Sequence, residues 1–335
     1  MNTNGRALLC LRTVTGRLLH AAALMLGVIV VNFSLVHLAP GDAATVMAGE
    51  MGGGMDEERM EAVRARYGLD QPMFVQLGTY ISRVVQGDLG ESIVYNRSVT
   101  SLIADRIWPT VLLLVAALSF AVVVGTLLGV FAARRPHNPA THVVTVFALF
   151  GFAAPVFWTA LMLLIVFAGR LGWFPIGGMS SLQPPDTVAG RALDTAHHLV
   201  LPAFTLGSVY MAYYTRIARS SMRDVLSADY VRTAHAKGAS PRSVVYKHGL
   251  RNGVIPVVTM AGLQLGALMS GTVIIETIFN WPGMGRLAFE AILRRDTAVL
   301  LGCLLTATLV VVIANLLTDA SYRLIDPRIR TKSTT

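Results

Sequence analysis

The chain has 335 residues, of which 54% are hydrophobic and only 14% are charged. Because an ordinary soluble domain carries about 25% charged residues, this composition excludes a typical water-soluble protein and favours one embedded in lipid. The net charge of +9 is an excess that nucleic-acid-binding proteins also carry. Here the basic residues lie beside long apolar stretches, where anionic lipids of an inner leaflet attract them. We therefore expect membrane lipid, and no nucleic acid, as a partner.

The first apolar stretch, 18–38, follows three arginines, Arg6, Arg12 and Arg17. A cleaved secretory signal has a similar basic start, but its apolar core is about 7–15 residues long and ends at a small-residue cleavage site. This stretch is longer and ends at the turn sequence Ala39-Pro40-Gly41-Asp42. It is therefore predicted to be a retained transmembrane helix.

Five further stretches are apolar and long enough to cross a bilayer, which requires about 20 helical residues. One of them, 194–216, holds His197, His198 and several tyrosines, so we expect other helices to shield it partly from lipid. The sequence therefore predicts an all-α polytopic membrane protein with six transmembrane helices. The last five are placed at 109–133, 143–169, 194–216, 253–275 and 297–318.

The polar segments between these helices indicate the topology. Short cytoplasmic loops carry the larger share of Lys and Arg, and with an inside N-terminus the inner segments hold more of these residues than the outer ones. Both termini are therefore predicted to be cytoplasmic. The predicted parts are the cytoplasmic N-terminus with the first helix (1–38), a periplasmic loop (39–108), a core of five helices (109–322) with a cytoplasmic loop at 216–255, and a cytoplasmic tail (323–335).

The sequence contains none of the motifs HExxH, CxxC, GxSxG or GxxxxGK[ST], which mark common metal, nucleophile and nucleotide sites. The predicted spans also hold almost no ionisable residues, although a gradient-driven carrier needs them near mid-membrane. Glu276, just beyond the fifth span, is expected to reach headgroups or water. We therefore expect a non-catalytic chain without its own energy source. The alternative of a different class, a stand-alone secondary transporter, would show inverted repeats.

The cytoplasmic loop between the fourth and fifth spans has the most ordered pattern in the chain. Ala234 and Ala236 are small enough for another backbone to approach closely. Gly238 can turn the chain at the end of a helix, and Pro241 cannot extend the same helix. These properties favour a compact knob that can insert into a partner.

This loop reads DYVRTAHAKGASP from Asp229 and continues to HGLRNGVIP, which ends at Pro256. It resembles the EAA loop of binding-protein-dependent ABC permeases, in the form "YVRTARAKG" then "HxLRNxxIP" of the dipeptide, oligopeptide and nickel permeases. Arg-Thr-Ala replaces Glu-Ala-Ala, as is usual in the peptide subgroup, whereas His235 stands where that subgroup mostly has Arg. The resemblance implies a helix at about 231–237, a turn at Gly238 and a second helical piece. Its ATPase-coupling residues are then Tyr230, Arg232, Ala234, Ala236, Lys237, Gly238, Arg251 and Asn252.

Other strings, in matching order along nearly the whole chain, resemble the B-type subunit of peptide permeases. They lie at 39–42, 67–72, 87–92, 276–285 and 326–330. The fourth string is interpreted as a periplasmic re-entrant gate, and an ordered turn without a gating role is the alternative. The gate residues are Glu276, Phe279, Pro282, Gly283 and Gly285.

The resemblance implies a MetI-like ABC importer permease fold in a bacterial inner membrane. Its expected partners are a second homologous permease in a heterodimer, two ATPase subunits that use ATP and Mg, and an extracytoplasmic binding protein docked on 39–108. No cofactor or metal is expected in this chain. Dipeptides or oligopeptides are the predicted substrates, and nickel or a nickel chelate is the alternative. Adjacent His197 and His198 point to different helix faces and make a poor chelate, which favours peptides.

Overall fold

The computed structural model describes residues 15–16, 19–31, 33–34, 61, 70–92 and 94–325. Its helices are α1 (Leu19–Val31), α2 (Met73–Val85), α3 (Val99–Arg134), α4 (Pro139–Ala153), α5 (Val156–Leu163), α6 (Val188–Leu226), α7 (Asp229–Ala236), α8 (Pro241–Ser243), α9 (Leu250–Gly253), α10 (Ile255–Ile278), α11 (Met284–Leu293) and α12 (Thr297–Ile325). Two π-helical segments, π1 (Leu164–Arg170) and π2 (Val244–Gly249), and an antiparallel hairpin of β1 (Glu91–Ser92) and β2 (Arg97–Ser98) complete the elements. The predicted all-α class is confirmed, with the hairpin as a small addition. The N-terminal arginines, the loop segments 39–60 and 62–69 and the tail from residue 326 lie outside the described residues.

Two of the described helices are long and apolar enough to cross a membrane, α3 and the part Thr297–Thr318 of α12. A third crossing results if α10 counts as one span, since its halves, Ile255–Gln264 and Leu268–Ile278, are inclined by 64°. Shorter apolar helices occupy Leu19–Val31 and Val156–Arg170. The count of six transmembrane helices therefore stays a prediction.

Two of the predicted spans show why charge-free stretches and helices differ in their ends. The predicted span 109–133 lies within α3, which begins earlier, at Val99, because its first turns carry Asp105 and Arg106, which a search for charge-free sequence leaves out. The predicted span 143–169 is broken between α4 and α5 at Pro155. Proline has no N–H to donate and disfavours a helical conformation in the residue before it, which favours an interruption of the helix at this point.

The chain folds as two compact units, the first formed by the described residues of Met1–Ile107 with Leu287–Val312, the second by those of Trp108–Arg286 with Ile313–Thr335. In the first unit the Tyr95 hydroxyl donates a hydrogen bond to Glu290 at 2.9 Å. Burial, then this bond, raises the pKa of the Tyr95 phenol, which keeps the hydroxyl a donor. Asp296 accepts from the Ser92 hydroxyl and from the Val299 N–H, and so caps α12.

The second unit is built around α6, which contacts α3 at two glycines one helical turn apart. A Cβ on Gly125 would lie 2.8 Å from the carbonyl oxygen of Met211, and one on Gly129 would lie 2.6 Å from that of Thr215. Such small residues, four apart, let two backbones approach without a side chain between them. The same unit contains α10 and both candidate sites.

Candidate functional site

The first candidate site, called the knob here, comprises residues 229–253. Its first helix, α7, ends where Gly238 takes a positive φ of 80°. The Ala239 N–H then bonds back to the Ala234 carbonyl at 3.1 Å and the Gly238 N–H to the His235 carbonyl at 2.9 Å, which satisfies carbonyls that a helix end leaves unpaired. The predicted helix and the turn at Gly238 are therefore confirmed, and α7 begins two residues earlier than the predicted 231.

The second half of the knob begins directly after this turn. Ser240 is the N-cap residue of α8, and its Oγ accepts a hydrogen bond from the Ser243 N–H. Pro241 follows at the first helical position, where its missing N–H costs nothing. The chain then runs through π2 and α9 into α10, as the predicted second helical piece requires.

The inner side of the knob is apolar. Val231, Ala234 and Val244 form a buried cluster, and Met222 of α6 lies fully buried against Gly249 and Gly253. A Cβ on Gly253 would overlap the Met222 sulfur. Ala234, predicted as a coupling residue, therefore faces inward and holds the knob together.

The outer side of the knob is polar and basic. Tyr230, Arg232, Ala236 and the neighbouring predicted residues Lys237, Gly238, Arg251 and Asn252 are exposed. Tyr230 and Asn252 are brought together, because the Asn252 amide donates to the Tyr230 hydroxyl at 3.0 Å and so fastens α7 to α9. Arg232 lies 3.7 Å from Asp229 in an exposed pair, which contributes little to stability.

The second candidate site, called the Glu276 turn here, comprises residues 276–286 at the other end of α10. Glu276 is fully buried, so the expectation that it reaches headgroups or water is wrong. One carboxylate oxygen accepts from the Thr110 hydroxyl at 2.7 Å, and the other accepts from the Arg286 N–H at 2.9 Å. The Thr110 oxygen itself accepts from the Met284 N–H at 2.7 Å.

Two of these three bonds cap the N-terminus of α11, and the third joins the two capping side chains to each other. The first N–H groups of a helix have no partner within it and carry a partial positive charge, and here Thr110 and Glu276 supply the acceptors. A carboxylate is well suited to this position because it accepts at both oxygens. Sequence reasoning missed Thr110, since 166 positions separate it from Glu276.

The residues between Glu276 and α11 fold into a tight buried turn. The Trp281 indole donates to the Pro109 carbonyl at 2.9 Å, and the Trp281 N–H donates to the Glu276 carbonyl at 2.8 Å. Asn280 takes a positive φ of 51° and its side chain accepts from the Arg286 guanidinium. Phe279 is buried, and its carbonyl accepts from the Gly178 N–H at 2.9 Å.

The two glycines of the turn leave room for the carboxylate. A Cβ on Gly283 would overlap the Glu276 carboxylate, and one on Gly285 would lie 2.9 Å from the Val273 Cα and 3.0 Å from a Glu276 oxygen. Of the predicted gate residues, Glu276, Phe279, Gly283 and Gly285 therefore meet. Pro282 is half-buried in the same turn.

No group of three or more His, Cys, Asp or Glu side chains is placed to hold a metal ion in the part of the chain that the structure describes. The two adjacent histidines already have protein partners. His197 Nε2 lies 2.8 Å from the Trp173 carbonyl oxygen, and His198 Nδ1 lies 2.8 Å from that of Asp194. The two imidazole rings contact different carbonyl oxygens and do not form a chelating pair.

Two family models match the chain. Residues 125–331 match the model described as "Binding-protein-dependent transport system inner membrane component", and residues 10–116 match that of its N-terminal region. An oligopeptide transport system permease protein of Bacillus subtilis is 38% identical over 93% of this chain and 97% of its own length. A di/tripeptide permease protein of Pseudomonas aeruginosa is 41% identical (91% and 94%), as is a glutathione permease protein of Escherichia coli (96% and 100%).

Among solved structures, a chain of an inward-facing MetNI methionine ABC transporter is similar to this chain with a TM-score of 0.53. The match covers 67% of this chain and 96% of that one, at 15% identity. At this identity the likeness shows the fold alone, and it confirms the predicted MetI-like fold.

Proposed function

Since the chain belongs to the family of binding-protein-dependent inner membrane components, the permease subunits of ABC importers, we propose that it conducts dipeptides or oligopeptides into the bacterial cell. A permease of this family is an integral membrane subunit that does not itself catalyse a reaction. The single observation that carries the peptide proposal is the high identity, over nearly the full length, to permeases named for oligopeptides, di- and tripeptides and glutathione.

The knob is the proposed contact with an ATPase subunit. Its exposed side carries Arg232, Lys237 and Arg251 above an apolar interior, so a partner with acidic side chains around a cleft would complement it. The helices of the knob are joined by contacts within the chain, namely the apolar cluster and the hydrogen bond from Asn252 to Tyr230, which suits a part that transmits force. ATP and Mg would be bound by two such ATPase subunits and not by this chain.

The assembly proposed around this chain also includes a second, homologous permease and an extracytoplasmic binding protein that selects the substrate. The knob and the Glu276 turn lie at opposite ends of α10, and counting its two inclined halves as one span places them on opposite sides of the membrane in this proposal. With the knob cytoplasmic, the Glu276 turn is periplasmic and both termini are cytoplasmic. Six transmembrane helices accommodate this topology.

Nickel or a nickel chelate is not favoured, because no group of three or more metal-ligating side chains occurs among the described residues and one ring nitrogen each of His197 and His198 faces a backbone carbonyl. A stand-alone secondary transporter is not favoured either, since its coupling site needs ionisable groups at mid-membrane. The buried Glu276 is already engaged by Thr110 and by a helix N-terminus.

The test is reconstitution of the chain with its co-purifying partners in liposomes that contain ATP. Uptake of a labelled tripeptide should require both ATP and the binding protein, and should cease when the Walker A lysine of the ATPase subunits is replaced. Competition by unlabelled peptides, but not by a nickel–histidine complex, identifies the substrate class. Peptide uptake driven by an ion gradient without ATPase subunits would contradict the proposal.

A further inference from the structure

The Glu276 carboxylate joins three separate parts of the second unit. It belongs to the last turn of α10, accepts the Thr110 hydroxyl from α3 and accepts a backbone N–H from the first turn of α11. Thr110 makes the connection cooperative, because its single proton goes to Glu276 while its oxygen accepts from Met284. Removal of one of these groups therefore leaves a buried partner unsatisfied.

Glu276 is connected to the knob through α10. α10 begins at Ile255, directly after the knob, and ends at Ile278, two residues after Glu276. The knob and the Glu276 turn are therefore joined by the two halves of α10, Ile255–Gln264 and Leu268–Ile278, which are inclined by 64°. The bonds of Glu276 and Thr110, together with the Trp281 indole bond to Pro109, fix the turn to α3.

We infer that Glu276 and Thr110 form a latch that holds the Glu276 turn against α3 and that must open for substrate to enter from the periplasmic side. This inference rests on the proposed function, and it names the residues that control entry of the substrate. Glu276 and Thr110 are positioning residues, which act by fixing the turn and not by touching substrate. The absence of side chains on Gly283 and Gly285 allows the latch to close.

The test uses Thr110→Val, which keeps the volume of the side chain and removes its hydroxyl. Thr126→Val is the matched control, because Thr126 lies on the same helix and its buried hydroxyl has no hydrogen-bond partner among the described residues. Pro282→Cys is the labelling reporter, in a background carrying Cys10→Ser and Cys303→Ala. The full complex in liposomes is labelled from the periplasmic side with an impermeant maleimide, and ATP hydrolysis is measured without binding protein.

In Thr110→Val we expect both the labelling rate and the ATP hydrolysis without binding protein to rise about tenfold, the scale of one lost hydrogen bond to a charged group. Thr126→Val should match the parent in both, and Thr110→Ser, which restores the hydroxyl, should return both to the parent values. Glu276→Gln carries the same test independently, because an amide cannot accept at both positions.

Parent-like labelling and parent-like ATP hydrolysis in folded Thr110→Val and Glu276→Gln complexes would overturn the latch. A lower melting temperature in these variants with unchanged labelling would also overturn it, since that is the signature of a purely structural contact. Peptide uptake by the parent complex separates the two proposals: if it is ATP-dependent while the variants behave like the parent, only the latch fails.

Discussion

The two ends of α10 are built from opposite chemistry. The knob buries Val231, Ala234 and Val244 and leaves its charges in solvent, whereas the Glu276 turn buries a carboxylate and satisfies it with a hydroxyl and backbone N–H groups. Close-packed apolar contacts weaken quickly when atoms move apart, which favours one fixed arrangement. A buried polar network is instead made or broken as a unit. The knob is thus suited to keep its shape, and the Glu276 turn to switch between two states.

The largest effect is expected from Gly283→Ala in the Glu276 turn. The new Cβ would overlap the Glu276 carboxylate, and the displaced carboxylate would lose its donors. Overpacking and unsatisfied buried groups together should cost about 4 kcal/mol, measured as a lower midpoint of thermal unfolding in detergent. Gly78→Ala on α2 is the control, because a Cβ there meets nothing within 4 Å. An unchanged midpoint in Gly283→Ala would contradict the close contact between Gly283 and the Glu276 carboxylate.

Met222→Ala tests the apolar end. Met222 is fully buried against Gly249 and Gly253, so truncation should cost about 3 kcal/mol and loosen the knob. We expect ATP-dependent peptide uptake to fall further than the amount of folded chain does. Gly253→Ala in the Met222→Ala background refills part of the space and should recover some uptake. If the double variant is no better than the single one, packing under the knob does not transmit the signal.

Two substitutions of Gly238 distinguish the effect of backbone strain on uptake from the effect of a larger side chain on the surface of the knob. Its φ is 80°, and no heavy atom lies within 4 Å of the position that a Cβ would take. Gly238→Val therefore costs about 1–2 kcal/mol of backbone strain, whereas Asn tolerates this conformation. Gly238→Val should abolish uptake and leave membrane insertion intact, and Gly238→Asn should retain more uptake. Equal loss in both variants would assign the effect to a blocked partner surface, and normal uptake by Gly238→Val would contradict a role of this turn in coupling.

The smallest effect is expected from Tyr230→Phe, which removes only the hydroxyl that Asn252 contacts. An exposed hydrogen bond contributes about 0.5–1 kcal/mol, so we expect faster amide hydrogen exchange in α9 and a modest loss of uptake. Tyr246→Phe, at another exposed tyrosine of the knob, is the control. Identical exchange in both variants would show that α7 and α9 are held together by the apolar cluster alone.

The knob could be predicted from the sequence because its signals are local. Gly238, Ser240 and Pro241 fall within four residues and act on the backbone beside them, and each has the expected effect there. The inward orientation of Ala234 was not predicted, since its neighbour Val244 belongs to another helical segment. A resemblance identifies which residues recur in a family but not which side of a helix they occupy.

The Glu276 turn was predicted from a family resemblance as a periplasmic gate, or as an ordered turn, without its chemistry. Its chemistry depends on Thr110, far away in the chain, and no local pattern connects a hydroxyl on one helix with a carboxylate on another. For the same reason Glu276 was placed at an exposed helix end. The early start of α3 and the break at Pro155 show a further limit, because charge-free length measures lipid exposure and not helix ends.

The contact of α3 with α6 at Gly125 and Gly129 has a practical consequence for handling the protein. There is no side-chain layer between the two backbones at these glycines, so a detergent molecule that replaces lipid around the helices has no crevice to enter at this crossing. Short-chain detergents should strip the lipid-facing surfaces and still leave these two helices paired. A measured increase in the distance between α3 and α6 would therefore indicate that a purified sample has begun to unfold.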